Sequence, residues 1–159
     1  MTNLSELYHT DYAEWARRNA DLLRAGNYAV LDIAHLLEEL SDMGKSERHE
    51  LENRLLILLA HLLKWEYQYR TLAEQWREFD GRSWRATIIE QRKRIALRLR
   101  KSPNLQSVLS ASVSEIYPDA VDLASDESGL PLATFPPQCP YSIEQLLNKH
   151  FYPEPRTES

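Results

Sequence analysis

The sequence predicts an all-α fold, a single-domain bundle of six or seven helices around a central apolar helix at about residues 46–70. Three observations carry that prediction. Residues 55–63, LLILLAHLL, are apolar at every position except His61. The run is too short to cross a bilayer, which takes ~20 residues. It is too long for an ordinary buried strand, and only Ile57 within it is β-branched. A helix apolar around most of its circumference belongs in a core. The second observation is that all eight prolines follow residue 102, so the first two thirds are free to be helical and the last third must be segmented. Third, no segment shows the period-two alternation of a half-buried strand.

Each element has its own signals. Thr10 can cap a first helix, with Asp11 at its positively polarised start. Tyr12, Trp15, Ala16, Leu22 and Leu23 follow at helical spacing, and Gly26 with Asn27 supplies the stop. Asp32 opens a second helix carrying Ile33, Leu36, Leu37 and Leu40, closed by Gly44. Ser46 caps the central helix, which ends near Arg70 or runs on to Phe79. Gly81 marks a turn, and Ser83 caps a helix with Trp84, Ile88, Ile95 and Leu99 on one face.

Ser102-Pro103 makes an N-cap and first-turn pair for the next helix. Leu105, Val108, Leu109, Ser112, Val113 and Ile116 lie along it until Pro118 ends it. A short helix with Val121 and Leu123 stops at Gly129, so all four glycines sit at expected helix ends. Residues 130–141, LPLATFPPQCPY, read as an irregular loop pinned by Phe135 and Tyr141. Ser142, with Gln145 three residues on, starts a last helix through a capping box. The domain is expected over 1–152, with a loose tail at 153–159.

Composition narrows the class. Of 159 residues, 43% are hydrophobic and 27% charged, as in an ordinary soluble globular protein. The net charge of −5 argues against a whole-molecule affinity for nucleic acid or anionic lipid. A single cysteine, Cys139, allows no intrachain disulfide. The opening MTNLSELYHTDYAEW lacks the basic and apolar regions of a signal peptide, so a cytoplasmic location is expected.

Candidate chemistry gathers on the central helix. At 100° per residue, Glu50, Arg54, Ile57, His61, Lys64, Trp65 and Gln68 share one side, so His61 continues a polar stripe. Its ordinary pKa near neutrality suits a general acid or base. The stripe also fits a plain helix edge, with His61 half exposed or bonded to a carboxylate. Six residues separate Arg54 from His61, the R-x(4–6)-H spacing of the HEPN ribonucleases, ~10.5 Å along one face. That family places a polar residue after the arginine, where this chain has Leu55.

Other sites are less well supported. A di-metal bundle needs two Glu-x-x-His motifs with two more inward carboxylates. Only Glu6 with His9 matches, and Glu38 and Glu39 are adjacent and point to different faces; no metal is expected. Cys139 lacks a nearby partner in sequence and reads as a buried thiol. There is no Gly-rich phosphate loop and no G-x-S-x-G, so no cofactor is implied.

Residues 82–101 hold Arg82, Arg85, Arg92, Lys93, Arg94, Arg98, Arg100 and Lys101 against Glu90 alone, a net of +7. Such a helix could follow a nucleic-acid backbone. However, its charges surround the helix. Residues 102–148 also supply six acids (Glu115, Asp119, Asp122, Asp126, Glu127, Glu144) and no Lys or Arg. Pairing within the chain or between subunits explains this pattern more economically.

Six stretches together resemble the bacterial "domain of unknown function 29" family. They are EELSDMGKSERHEL (38–51), LLAHLLKWEYQ (58–68), RSWRATIIEQRKRI (82–95), SPNL (102–105), ESGLPL (127–132) and FPPQCPYSIEQLL (135–147). The resemblance implies an all-helical, single-domain protein and carries no activity to any residue. The link from the KW to the SW motif, YRTLAEQWREFDG, is longer than in typical members.

The expected function is therefore a non-enzymatic, self-associating interaction protein, most simply a dimer, that does not enter the membrane. Four Trp and eight Tyr, segregated charges and the lack of an assembled catalytic set support it. The alternatives are a nucleic-acid binder using Arg85, Arg92, Lys93, Arg94, Arg98, Arg100 and Lys101, and a HEPN-like ribonuclease using Arg54 and His61 with Glu50.

Overall fold

The computed structural model describes residues 3–156, which form seven α-helices and three short 3₁₀ turns and, among the described residues, no strand. The helices are α1 (Leu4–Thr10), α2 (Tyr12–Ala25), α3 (Ile33–Tyr67), α4 (Tyr69–Gln75), α5 (Arg82–Lys101), α6 (Leu109–Ser128) and α7 (Ile143–Leu147). The chain divides into two compact units, Met1–Ser46 and Glu47–Ser159, and α3 begins in the first and ends in the second. The all-α architecture is the one the sequence predicts.

In the first unit, α1 opens on an Asn3 capping box closed by Glu6, and Asp11 caps α2 through the Glu14 amide. Thr10, expected as that cap, is instead the last residue of α1, and its hydroxyl donates to the Glu6 carbonyl at 3.1 Å. Gly26 ends α2 at φ 75°, a left-handed conformation that glycine adopts without a Cβ penalty. Leu7 and Trp15 are buried here. Asn19, 2% exposed, donates to the Trp15 carbonyl and accepts from the Asp32 amide, fixing the turn into α3.

Gly44 and Ser46 do not divide α3 as the sequence reading expects. The helix runs unbroken over 35 residues, and Gly44 keeps negative φ. An isolated glycine in a helix costs ~1 kcal/mol against alanine, and the long apolar run that follows outweighs it.

The second unit is organised around the last five turns of α3. Leu51, Leu55, Leu58, Leu59, Leu62 and Leu63 are fully buried. They belong to one core with Ile88, Ile95 and Leu99 of α5 and Leu109, Val113, Tyr117, Ala120 and Ala124 of α6. Gly81 caps α5 at φ 72°, two residues before the expected cap at Ser83, and a Cβ at this position would run into the Tyr69 and Trp65 rings. α4 fills the segment beyond the central helix, after a one-residue break at Gln68.

Ser102-Pro103 opens a 3₁₀ turn, Pro103–Val108, that leads into α6. Pro118, expected to end a helix, lies inside α6, which continues to a left-handed Gly129. The lost hydrogen bond is tolerated because Tyr117 and Ala120, on either side, are buried in the core.

The loop after α6 is irregular apart from a 3₁₀ turn at Leu132–Thr134, and it is pinned as predicted by buried Phe135 and Tyr141. The Tyr141 hydroxyl reaches Glu66 Oε1 at 2.9 Å, and Ser142 with Gln145 forms the expected capping box of α7. In the tail, Arg156 meets the end of α3. Its amide donates to the Glu66 carbonyl and its Nε reaches Glu66 Oε2, both at 2.6 Å. Residues 157–159 of the expected tail lie outside the described residues.

Candidate interaction surface

On α3, the predicted polar stripe is largely tied into the fold. Glu50 pairs with Arg98 of α5, and Lys64, 4% exposed, pairs with Glu127 of α6 at 3.1 Å beneath the Trp84 ring. His61 is half-buried, and its Nδ1 lies 2.8 Å from the Ile57 carbonyl. A carbonyl only accepts, so Nδ1 carries the proton and Nε2 keeps its lone pair. Burial, then the Lys64 charge, lowers the His61 pKa, outweighing the Ile57 carbonyl and Glu127. The imidazole is thus neutral at pH 7. Arg54 is half-buried, with a buried Nε that has no protein partner. No hydrogen bond joins Arg54 to His61 among the described residues.

The basic helix is α5, and its charges have separate tasks. Arg92 points inward: Nε donates to the Leu146 carbonyl at 2.9 Å and one terminal nitrogen to the Gln145 carbonyl at 3.2 Å. These carbonyls belong to the last turn of α7, which has no helical donors left for them, so Arg92 acts as its C-terminal cap. Burial lowers the Arg92 pKa without threatening its charge. Arg85 lies over the Trp65 ring and Arg94 bonds Glu90 within the helix. Lys93, Arg100 and Lys101 are exposed and, among the described residues, have no ion pair.

No cluster of three or more metal-binding side chains occurs among the described residues. Cys139 is half-buried and burial raises its pKa, so it is a thiol rather than a thiolate at neutral pH. Ser5, Asp32 and His35 resemble a hydrolytic triad only in composition. Ser5 Oγ and Asp32 Oδ2 both approach the same ring nitrogen, Nδ1 of His35, at 3.4 and 2.7 Å. A relay needs opposite nitrogens.

The most unusual surface is one that the sequence reading missed. From residue 33 to 45, α3 is amphipathic. Ile33, Ala34, Leu36, Leu37, Leu40, Ser41, Met43 and Gly44 occupy one half of the helix, and His35, Glu38, Glu39, Asp42 and Lys45 the other. The first unit packs against the polar half. Tyr8 and Tyr12 donate to the two Glu39 carboxylate oxygens at 2.5 and 2.7 Å, Tyr8 stacks on His35, and Trp15 Nε1 donates to Asp32 at 2.8 Å.

Burial raises Asp32, but the Trp15 and His35 hydrogen bonds together bring its pKa below the usual carboxylate value. The apolar half is left bare: Ile33 is 52% exposed, Leu37 61%, and Leu40 and Met43 63% each. From sequence alone these residues look like any core-facing stripe. The one available signal was the cluster of Tyr8, Tyr12 and Trp15, whose polar ends need partners when packed.

Fold and surface together define an all-helical protein with a buried leucine-rich centre and an exposed amphipathic helix face. No helix among the described residues is long and apolar enough to cross a membrane. Residues 7–152 match the family described as Domain of unknown function DUF29, and the chain belongs to that family. Neither the curated proteins nor the solved structures contain a match.

Proposed function

We propose that the protein is a non-enzymatic interaction protein that self-associates through the bare half of α3. The observation that carries this reading is the inverted packing of the first unit, in which α1 and α2 cover the polar side of residues 33–45 and leave the apolar side to solvent. An exposed apolar stripe rimmed by polar residues is a surface waiting for a partner.

A second copy of the chain fits that surface. Ile33, Leu37, Leu40 and Gly44 follow a heptad seam, and the flanking positions Ala34, Leu36, Ser41 and Met43 are uncharged. A two-fold, antiparallel pairing centred between residues 38 and 39 sets large residues against small or matching ones. Ile33 meets Gly44 of the partner subunit, Leu37 meets Leu40 of the partner subunit, and Leu36 meets Met43 of the partner subunit. No like charges are forced together, as an isologous contact requires.

Sedimentation velocity tests this. The wild type should sediment at twice the 18.6 kDa chain mass at micromolar concentration. Leu37→Glu with Leu40→Glu should sediment as a monomer of unchanged helicity. A monomeric wild type, or a double variant that still dimerises, would refute the reading.

A further inference from the structure

A cleft of about 520 Å³ lies between α6 and the loop that leads into α7, within the range of small-molecule sites. Self-association through α3 gives it no role. Ser110, Ser114 and Pro118 of α6 line one wall, and Gln138, Cys139 and Ser142 line the other. Buried Tyr117 and Tyr141 also line it. Their hydroxyls are engaged elsewhere, Tyr117 with the Pro136 carbonyl at 2.7 Å and Tyr141 with Glu66, and at 3% and 7% exposure the two rings form its floor with little accessible surface.

Two features define what could bind. No charged side chain lines the cleft. An ion entering it would lose hydration without gaining a counter-charge. The second feature follows from Pro118. Proline has no N–H, so the Ser114 carbonyl one turn earlier loses its helical donor. Ser114 and Pro118 both line the cleft, so the carbonyl that lacks its usual helical donor is a candidate acceptor for a ligand there. Hydroxyl and amide groups that both donate and accept flank it, and a purely apolar ligand would strand them.

We propose that this cleft binds a small, neutral, polyhydroxylated ligand of the mono- or disaccharide class. Its hydroxyls exchange hydrogen bonds with Ser110, Ser142 and Gln138, and one of them donates to the Ser114 carbonyl. Cys139 takes no covalent part; it donates weakly to the Tyr141 carbonyl at 3.5 Å.

Saturation-transfer NMR on the full chain tests the proposal. Glucose, N-acetylglucosamine, trehalose and inositol serve as neutral probes, with gluconate and glucosamine as charged controls. At least one neutral probe should show transfer, and the charged controls none. Pro118→Ala restores an N–H to the Ser114 carbonyl in a helix that accommodates alanine readily, so the protein should stay folded while binding weakens about tenfold, the value of one hydrogen bond. Gln138→Ala, at an exposed loop position, should weaken it similarly. Silence from every neutral probe would overturn the proposal. So would equal binding of the charged controls, or binding unchanged in both variants.

Discussion

Replacing Gly44 with alanine tests the continuity on which the amphipathic face of α3 depends. If the helix ended at Gly44, the residue would take a left-handed conformation, and an added Cβ would cost ~1–2 kcal/mol. The structure instead gives positive φ only to Gly26, Gly81 and Gly129, and a Cβ at Gly44 meets nothing within 4 Å. Alanine is ~0.8–1.0 kcal/mol better than glycine in an exposed helix interior. Gly44→Ala should therefore stabilise the first unit by about 1 kcal/mol. Gly26→Ala belongs to the same unit, and there φ is 75°, so the sign reverses and about 1 kcal/mol or more is lost. Urea unfolding followed by far-UV circular dichroism gives both values. The Leu37→Glu, Leu40→Glu background removes any contribution from association. If Gly44→Ala lowers the midpoint as Gly26→Ala does, α3 is broken at that residue, and the face built on residues 33–45 loses its geometry.

Two further outcomes are expected. Arg92→Met should cost about 1–3 kcal/mol, because the terminal carbonyls of α7 lose their donors; a thermal melt equal to the wild type's would contradict the capping role. His61 makes stability pH-dependent. Its folded pKa lies below its unfolded value of ~6.5, so the unfolded chain binds more protons through that range. The neutral imidazole's contribution is then complete above ~6.5 and lost as pH falls toward the folded pKa. Urea midpoints measured across this window should fall with acidification in the wild type and fall less in His61→Gln; identical slopes would show that His61 does not carry the effect.

The core was legible in the sequence because one run of nine residues allowed a single solution, a helix enclosed by others, and Leu58, Leu59 and Leu62 are indeed fully buried. The Ser142 capping box and the Phe135 and Tyr141 anchors were legible for a similar reason, since each is a local pattern with one geometric meaning. Helix ends were less so. Gly44 and Pro118 are local breakers, and tertiary packing overrode both. Site residues divided along the same line. Among the described residues the basic run of α5 does not pair with the acids of residues 102–148 as the segregated charges suggested; both segments turn to α3 instead, Arg98 to Glu50 and Glu127 to Lys64. The inward turn of Arg92 depends on where α7 stops, 55 residues later, which no local pattern encodes. The bare face of α3 was hidden because a stripe meant for a partner and a stripe meant for a core obey the same spacing.

The bond from Trp15 to Asp32 also gives the protein an internal optical probe. The chain has four tryptophans, and Trp15 alone lies in the first unit, 2% exposed, with its indole N–H held by a carboxylate at 2.8 Å. With Trp65, Trp76 and Trp84 changed to phenylalanine, the remaining emission would come from one shielded fluorophore. A red shift of that emission would then report the opening of residues 1–46 alone, whatever the leucine-rich remainder of the chain is doing.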